Sequence, residues 1–263
     1  MWHLRTNRWL LGSILAAAGL GLMTPAGVAS SEPAVVLADH FDNGVPADSD
    51  TTAAFWSIGH SDGTVTVVEN RNSNGLLEMT LAGGTGKSLP KLVLASAVKR
   101  EFNFATGQVC LSVKGVRIQS QGGGAKPWDS VMRFSFTSLS GHPWLAPDAV
   151  TLMLTDSGEA ILGWKTGQPH KDPQVIKAVS ANAGTLKLGT ITGFDLTLGP
   201  ARYQLVLHGT QKSETFAGVY ADKGGLKPWG NSALVIDCQR NTPNPAISSQ
   251  DSLDSVVVTR SSP

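Results

Sequence analysis

The stretch SVMRFSF, residues 130–136, decides the fold. Successive side chains of an extended chain point to opposite faces. Met132, Phe134 and Phe136 therefore share one face, and Arg133 and Ser135 the other. A helix would scatter those three apolar residues around its circumference. The alternation predicts a strand with an aromatic inner face and a polar outer one.

The same period recurs on both sides of this stretch. In GLLEMTL (75–81), Leu77, Met79 and Leu81 oppose Glu78 and Thr80. In QVCLSVKGV (108–116), Val109, Leu111 and Val113 oppose Gln108, Cys110 and Ser112. AVTLMLT (149–155), AILGWK (160–165), RYQLVLH (202–208), TFAGVY (215–220) and SVVVT (255–259) continue the pattern. Gly, Asn, Asp and Pro punctuate the runs, and no window beyond the N-terminal segment sustains helical spacing. Many short strands so spaced predict an all-β, jelly-roll sandwich of two curved antiparallel sheets. No stretch has the length or composition of a linker. An apolar last strand must pair with another, and in jelly rolls it commonly returns beside the first.

The N-terminal segment reads differently. MWHLRTNRW carries Arg5 and Arg8 without an acid, LLGSILAAAGLGLM is apolar, and TPAGVAS supplies Pro and small residues. This is the order of a secretory signal peptide. Residues 1–29 are expected to be removed near Ala29, leaving one domain over residues 30–263. The apolar run is shorter than the roughly 20 residues of a membrane span. The expectation is a secreted, periplasmic or otherwise extracytoplasmic protein.

Without Arg5 and Arg8 the chain carries 19 basic and 20 acidic residues and no run of like charge. That balance argues against nucleic acid and anionic membranes as partners. Cys110 and Cys238 both sit in β-like runs. Export makes a disulfide between them an expectation, and closing so long a loop would stabilise by about 4–5 kcal/mol.

LADHFDNG (37–44), FWSI (55–58), NGLLEMTL (74–81), ARYQLVLHG (201–209) with ETFAGVYADKGG (214–225), and DSLDSVVVTR (251–260) follow one another along the chain. Together they resemble the concanavalin A-like lectin/glucanase superfamily, including its LamG-like jelly rolls. The resemblance implies a concave sheet face on which many members bind or cleave polysaccharides. It also implies a structural calcium ion where first and last strands meet, with Asp39 and Asp254 in the corresponding phrases and oxygen donors suited to it.

Catalysis has less support. The resembling glucanases carry a Glu-x-Asp-x-x-Glu phrase, which aims carboxylates into one cleft. The six glutamates after residue 29 (Glu32, Glu69, Glu78, Glu101, Glu159 and Glu214) have no acid two residues away. Lyases of this fold use Arg, His or Gln, and Tyr. Arg133, His142 and Tyr220 are the weak candidates here, with Tyr203 and His208 pointing to opposite faces of their strand. LAGGTGKS (81–88) lacks the first Gly of a phosphate-binding loop.

Lys-Pro-Trp appears at 126–128 and again at 227–229, and His-Pro-Trp at 142–144. Pro stiffens each approach while nearby Gly lets the loop bend. Trp128, Trp144 and Trp229 are thus either flat platforms for sugar rings or plugs over the sandwich ends. Trp56 and Trp164, inside apolar runs, are expected in the core. The sequence favours an exported glycan-binding protein without evident catalytic motif. The alternatives are a polysaccharide-degrading enzyme, lyase before hydrolase, and a structural or interaction module of the envelope.

Overall fold

The computed structural model describes residues 32–61, 63–70, 75–83, 89–122, 125–183, 186–220, 227–242 and 244–261. The expected signal segment and its Ala29 cleavage point lie outside the described residues.

In chain order the strands are β1 (Ala34–Asp39), β2 (Ser57–Ser61), β3 (Thr64–Asn70), β4 (Leu76–Ala82), β5 (Lys91–Ala95) and β6 (Gln108–Lys114). They continue with β7 (Ser120–Gln121), β8 (Ser130–Thr137), β9 (Ala149–Thr155), β10 (Glu159–Lys165), β11 (Gln174–Ser180) and β12 (Ile191–Leu198). The last are β13 (Arg202–Gly209), β14 (Ser213–Val219), β15 (Ala233–Arg240), β16 (Ser248–Leu253) and β17 (Ser255–Ser261). No helix among the described residues is long and apolar enough to cross a membrane.

One sheet has six strands in the order β1-β17-β6-β12-β13-β14, and a second has seven in the order β11-β10-β9-β8-β15-β5-β2. A smaller sheet runs β3-β4-β16-β7. Neighbours pair antiparallel, and the last strand does return beside the first: β17 pairs with β1 from Ala34↔Arg260 to Asp39↔Val256.

The alternation of the sequence becomes the core. Met132, Phe134 and Phe136 of β8 are fully buried, as are Leu234, Ile236 and Cys238 of β15. From the facing sheet come Val109, Leu111 and Val113 of β6 and Phe194 of β12. The rings of Phe134 and Phe194 meet edge to face with centroids 4.8 Å apart. Leu77, Met79 and Leu81 of β4 extend the same core. Trp56 and Trp164 are buried, as expected.

The expected Cys110–Cys238 bridge is not formed; both thiols are free. Cys238 points inward, with its sulfur 3.5 Å from that of Met79. Cys110 lies between Val109 and Leu111, whose side chains are inside, so its own faces outward towards Ser112. The two thiols sit on opposite sides of the six-stranded sheet.

Candidate functional site

The outer face of the seven-stranded sheet is built from the residues that alternate with the core. Its middle row runs in register Gly59–Val93–Asp237–Arg133–Met153–Ile161 across β2, β5, β15, β8, β9 and β10. A second row carries Ser61, Lys91 and Gln239. Loops rise at the sides, and together they enclose a cavity of about 1150 Å³. Arg133, His142, Trp128, Trp144, Lys91 and Gln239 all line it. Small-molecule pockets typically measure roughly 300–1,000 Å³, so this one has room for several sugar rings.

Arg133 is the central charge. Its Nη1 donates to Asp237 Oδ1 at 2.7 Å and to Gln239 Oε1 at 3.3 Å. Asp237 is fully buried. An anchored guanidinium loses little further freedom on binding a polar ligand, because its rotamer is already fixed.

His142 closes over the same carboxylate. Its Nδ1 accepts the N–H of Trp144 at 3.1 Å, which places the proton of the neutral ring on Nε2. That nitrogen lies 3.8 Å from Asp237 Oδ1, too far for a hydrogen bond. His142 Nε2 and Asp237 Oδ2 are buried without a protein partner among the described residues. Burial holds the imidazole below its ordinary pKa, and the charge of Asp237 opposes that shift only in part. At neutral pH the ring is uncharged.

The two rim tryptophans are held by their backbones. Trp128 has φ +74°, a left-handed conformation that costs a non-glycine residue about 1–2 kcal/mol. Asp156 Oδ1 accepts its N–H at 2.7 Å, and Asn241 Nδ2 donates to its carbonyl at 3.1 Å. Strain so maintained leaves the indole 39% exposed beside the cavity. Trp144 is 43% exposed and meets His170 edge to face at 4.7 Å. Beneath it, buried Lys165 donates to the carbonyls of Trp144, at 3.2 Å, and Lys171, at 2.8 Å, joining the two loops that form this wall. Burial lowers the pKa of its ammonium. Gly163 admits the second loop: a Cβ there would stand 2.9 Å from that of Pro173.

The other sequence candidates lie elsewhere. Trp229 sits among Phe104 and Trp164, at centroid distances of 4.9 and 5.4 Å, so it plugs the sandwich. Tyr220 is buried between Trp164 and Tyr203, away from the cavity-lining residues, and burial pushes its hydroxyl pKa well up. It follows β14, an edge strand of the other sheet, which separates it from Arg133 and His142. Asp39 is buried, and its two oxygens accept from Phe41 N–H at 3.0 Å and Trp56 Nε1–H at 2.8 Å. Burial raises its carboxyl pKa to about 7. Asp254 is exposed at the turn between β16 and β17. These two residues do not fit a calcium site, and no group of three or more His, Cys, Asp or Glu gathers among the described residues.

Sequence reasoning missed Asp237, Gln239 and Lys91. In ALVIDCQR the core residues Leu234, Ile236 and Cys238 place Asp237 on the outer face. An acid at the centre of so apolar a strand was the available signal.

No protein-family model matches the chain, and no curated protein matches it. Solved structures do. Lectin I from Ulex europaeus, in complex with the methyl glycoside of alpha-L-fucose, is similar at 11% identity and a TM-score of 0.50, covering 81% of this chain and 95% of that one. The CBM2 module of the evolved Dit of Lactobacillus casei BL23 phage J-1 is similar at 6% identity and a TM-score of 0.52, covering 88% and 97%. The likeness shows the fold, an all-β jelly-roll sandwich.

Proposed function

We propose that this is an exported, lectin-like protein that binds a polysaccharide or oligosaccharide on the concave face of its seven-stranded sheet. The observation that carries the reading is the cavity itself, where two half-exposed indoles on braced loops flank a guanidinium anchored on a buried carboxylate. Indole faces pack on the C–H faces of sugar rings, while Arg133, Gln239, Lys91 and Asn241 offer donors and acceptors to hydroxyls. Asp237 offsets Arg133, and Asp172 lines the cavity as well as Lys91, which leaves the site close to neutral and suits an uncharged ligand. The fold shared with a fucoside-binding lectin agrees with the reading. The basic-apolar-small order of residues 1–29 supports export.

One observation favours a second reading. Arg133 and His142 share the cavity, as a polysaccharide lyase would require, although Tyr220 does not join them. A glycan array with product analysis on each hit tests both readings. Retention of intact glycan is the expected result; shortened or unsaturated products would establish the enzyme, and no retained glycan would overturn the proposal.

A further inference from the structure

The outer face of the six-stranded sheet carries a second constellation, on the opposite side of the sandwich. His208 of β13 lies in register with Ser213 of β14. Ser213 Oγ is 2.9 Å from His208 Nδ1, and His208 Nε2 is 2.8 Å from Asp195 Oδ2 on β12. Ser112 Oγ donates to Asp195 Oδ1 at 2.5 Å. These bonds fix the proton positions. The ionised carboxylate can only accept, so the imidazole proton lies on Nε2. That leaves the Nδ1 lone pair to accept the hydroxyl proton of Ser213.

The ladder supplies a further part. Gly209 N–H donates to Lys212 O at 2.9 Å where the β13–β14 hairpin closes. Antiparallel pairs alternate between hydrogen-bonded and non-hydrogen-bonded. The next pair, His208 and Ser213, is therefore non-hydrogen-bonded, which brings the two side chains close and turns the Ser213 N–H away from β13. β14 is an edge strand, and among the described residues no strand pairs with that side. Among the described residues no strand takes up the Ser213 N–H, which lies beside its own Oγ and can donate to a developing oxyanion. Gly193, in register with His208 on its other side, has no side chain to crowd the ring. The side chains of His208 and Asp195 are 38% and 37% exposed, and Ser213 is exposed.

We propose that Ser213, His208 and Asp195 form a nucleophilic acyl-transfer site for small acyl esters, reached from solvent. Ser213 Oγ attacks the ester carbonyl carbon while His208 Nδ1 takes the hydroxyl proton. The tetrahedral oxyanion faces the Ser213 N–H. The bond from carbon to the alcohol oxygen then breaks, and His208 returns the proton to the departing alcohol. Water, deprotonated by His208, attacks the acyl-serine and releases the carboxylic acid, which restores the hydroxyl. Asp195 holds the ring and stabilises its charged form. The open face fits small acyl groups, such as acetyl, on bulky alcohols.

The test uses the full chain with a fluorophosphonate probe and with p-nitrophenyl acetate. The expected result is one phosphonyl adduct, mapped to Ser213, and ester turnover. Both should fall about 100-fold in His208→Gln and in Asp195→Asn, with unchanged melting. Saturation with the best-retained glycan, which occupies the opposite sheet, should leave labelling intact, so this site and the glycan cavity fail independently. An unlabelled Ser213, or an adduct that persists undiminished in both variants, would overturn the proposal.

Discussion

Two tryptophans that each follow a proline have different work in this molecule. Trp229 is half-buried against Phe104 and Trp164, and Trp229→Ala should cost at least about 2 kcal/mol, approaching the roughly 3–5 of fully buried aromatic truncations. Trp144 is 43% exposed, and Trp144→Ala should change stability by no more than about 0.5 kcal/mol. One denaturant curve per variant distinguishes the two environments; equal costs would contradict them. Arg133→Ala leaves the fully buried Asp237 without its partner and should destabilise by about 3–5 kcal/mol, the usual consequence of an unpaired buried charge, measured in the same way. The shared Lys-Pro-Trp phrase could not separate plug from platform, because the difference lies in what each loop meets: a core aromatic cluster for Trp229, solvent and the cavity for Trp128. Arg133 and Asp237 were readable as outward-facing residues of their strands, but their contact spans 104 positions and no local pattern announces it. The cysteines were more legible than the expected bridge allowed. The alternation that puts Val109 and Leu111 inside already turns Cys110 out, while Cys238 shares the inward parity of Ile236. Alkylation of the unfolded, unreduced protein should therefore label both thiols, whereas a chain that takes up no label would restore the disulfide.

At the scale of the element, the strands follow from alternation and the loops do not. β4, β6, β8 and β15 bury the residues that a period of two assigns to them. Strand order was less accessible, since β15 pairs with β5 and β8 across long separations that propensity cannot rank. The cavity walls depend on such details as the left-handed Trp128 and the close approach of Pro173 to Gly163. β16 adds a consequence of its own. Asp251 is fully buried, with Ser130 Oγ 3.1 Å from both its oxygens and the Gln119 N–H donating at 3.2 Å. Burial raises its carboxyl pKa to about 7. An unfolded aspartate releases its proton near pH 4, so between those values the folded chain binds the additional proton. Its contribution to stability is complete below about pH 4 and is lost as pH rises to about 7, a change on the order of 4 kcal/mol. Asp39 acts in the same direction and His142 in the opposite one, so the measurement is the difference between wild type and Asp251→Asn. Melting temperatures that fall with pH more steeply in wild type than in the variant are expected; parallel curves would contradict the buried neutral carboxyl.

Across the whole molecule, the sandwich buries one set of faces and leaves two others to carry chemistry. The seven-stranded sheet presents the cavity with Arg133, His142, Trp128 and Trp144, and the six-stranded sheet presents Ser213, His208 and Asp195. Titration calorimetry of the best-retained glycan against wild type, Arg133→Ala and Trp144→Ala, each with its melting curve, tests the central claim most directly. Binding at least about tenfold weaker is expected in each variant, the effect of losing roughly 1.4 kcal/mol of contact, with melting unchanged in Trp144→Ala. Wild-type affinity in both variants would contradict a concave-face glycan site.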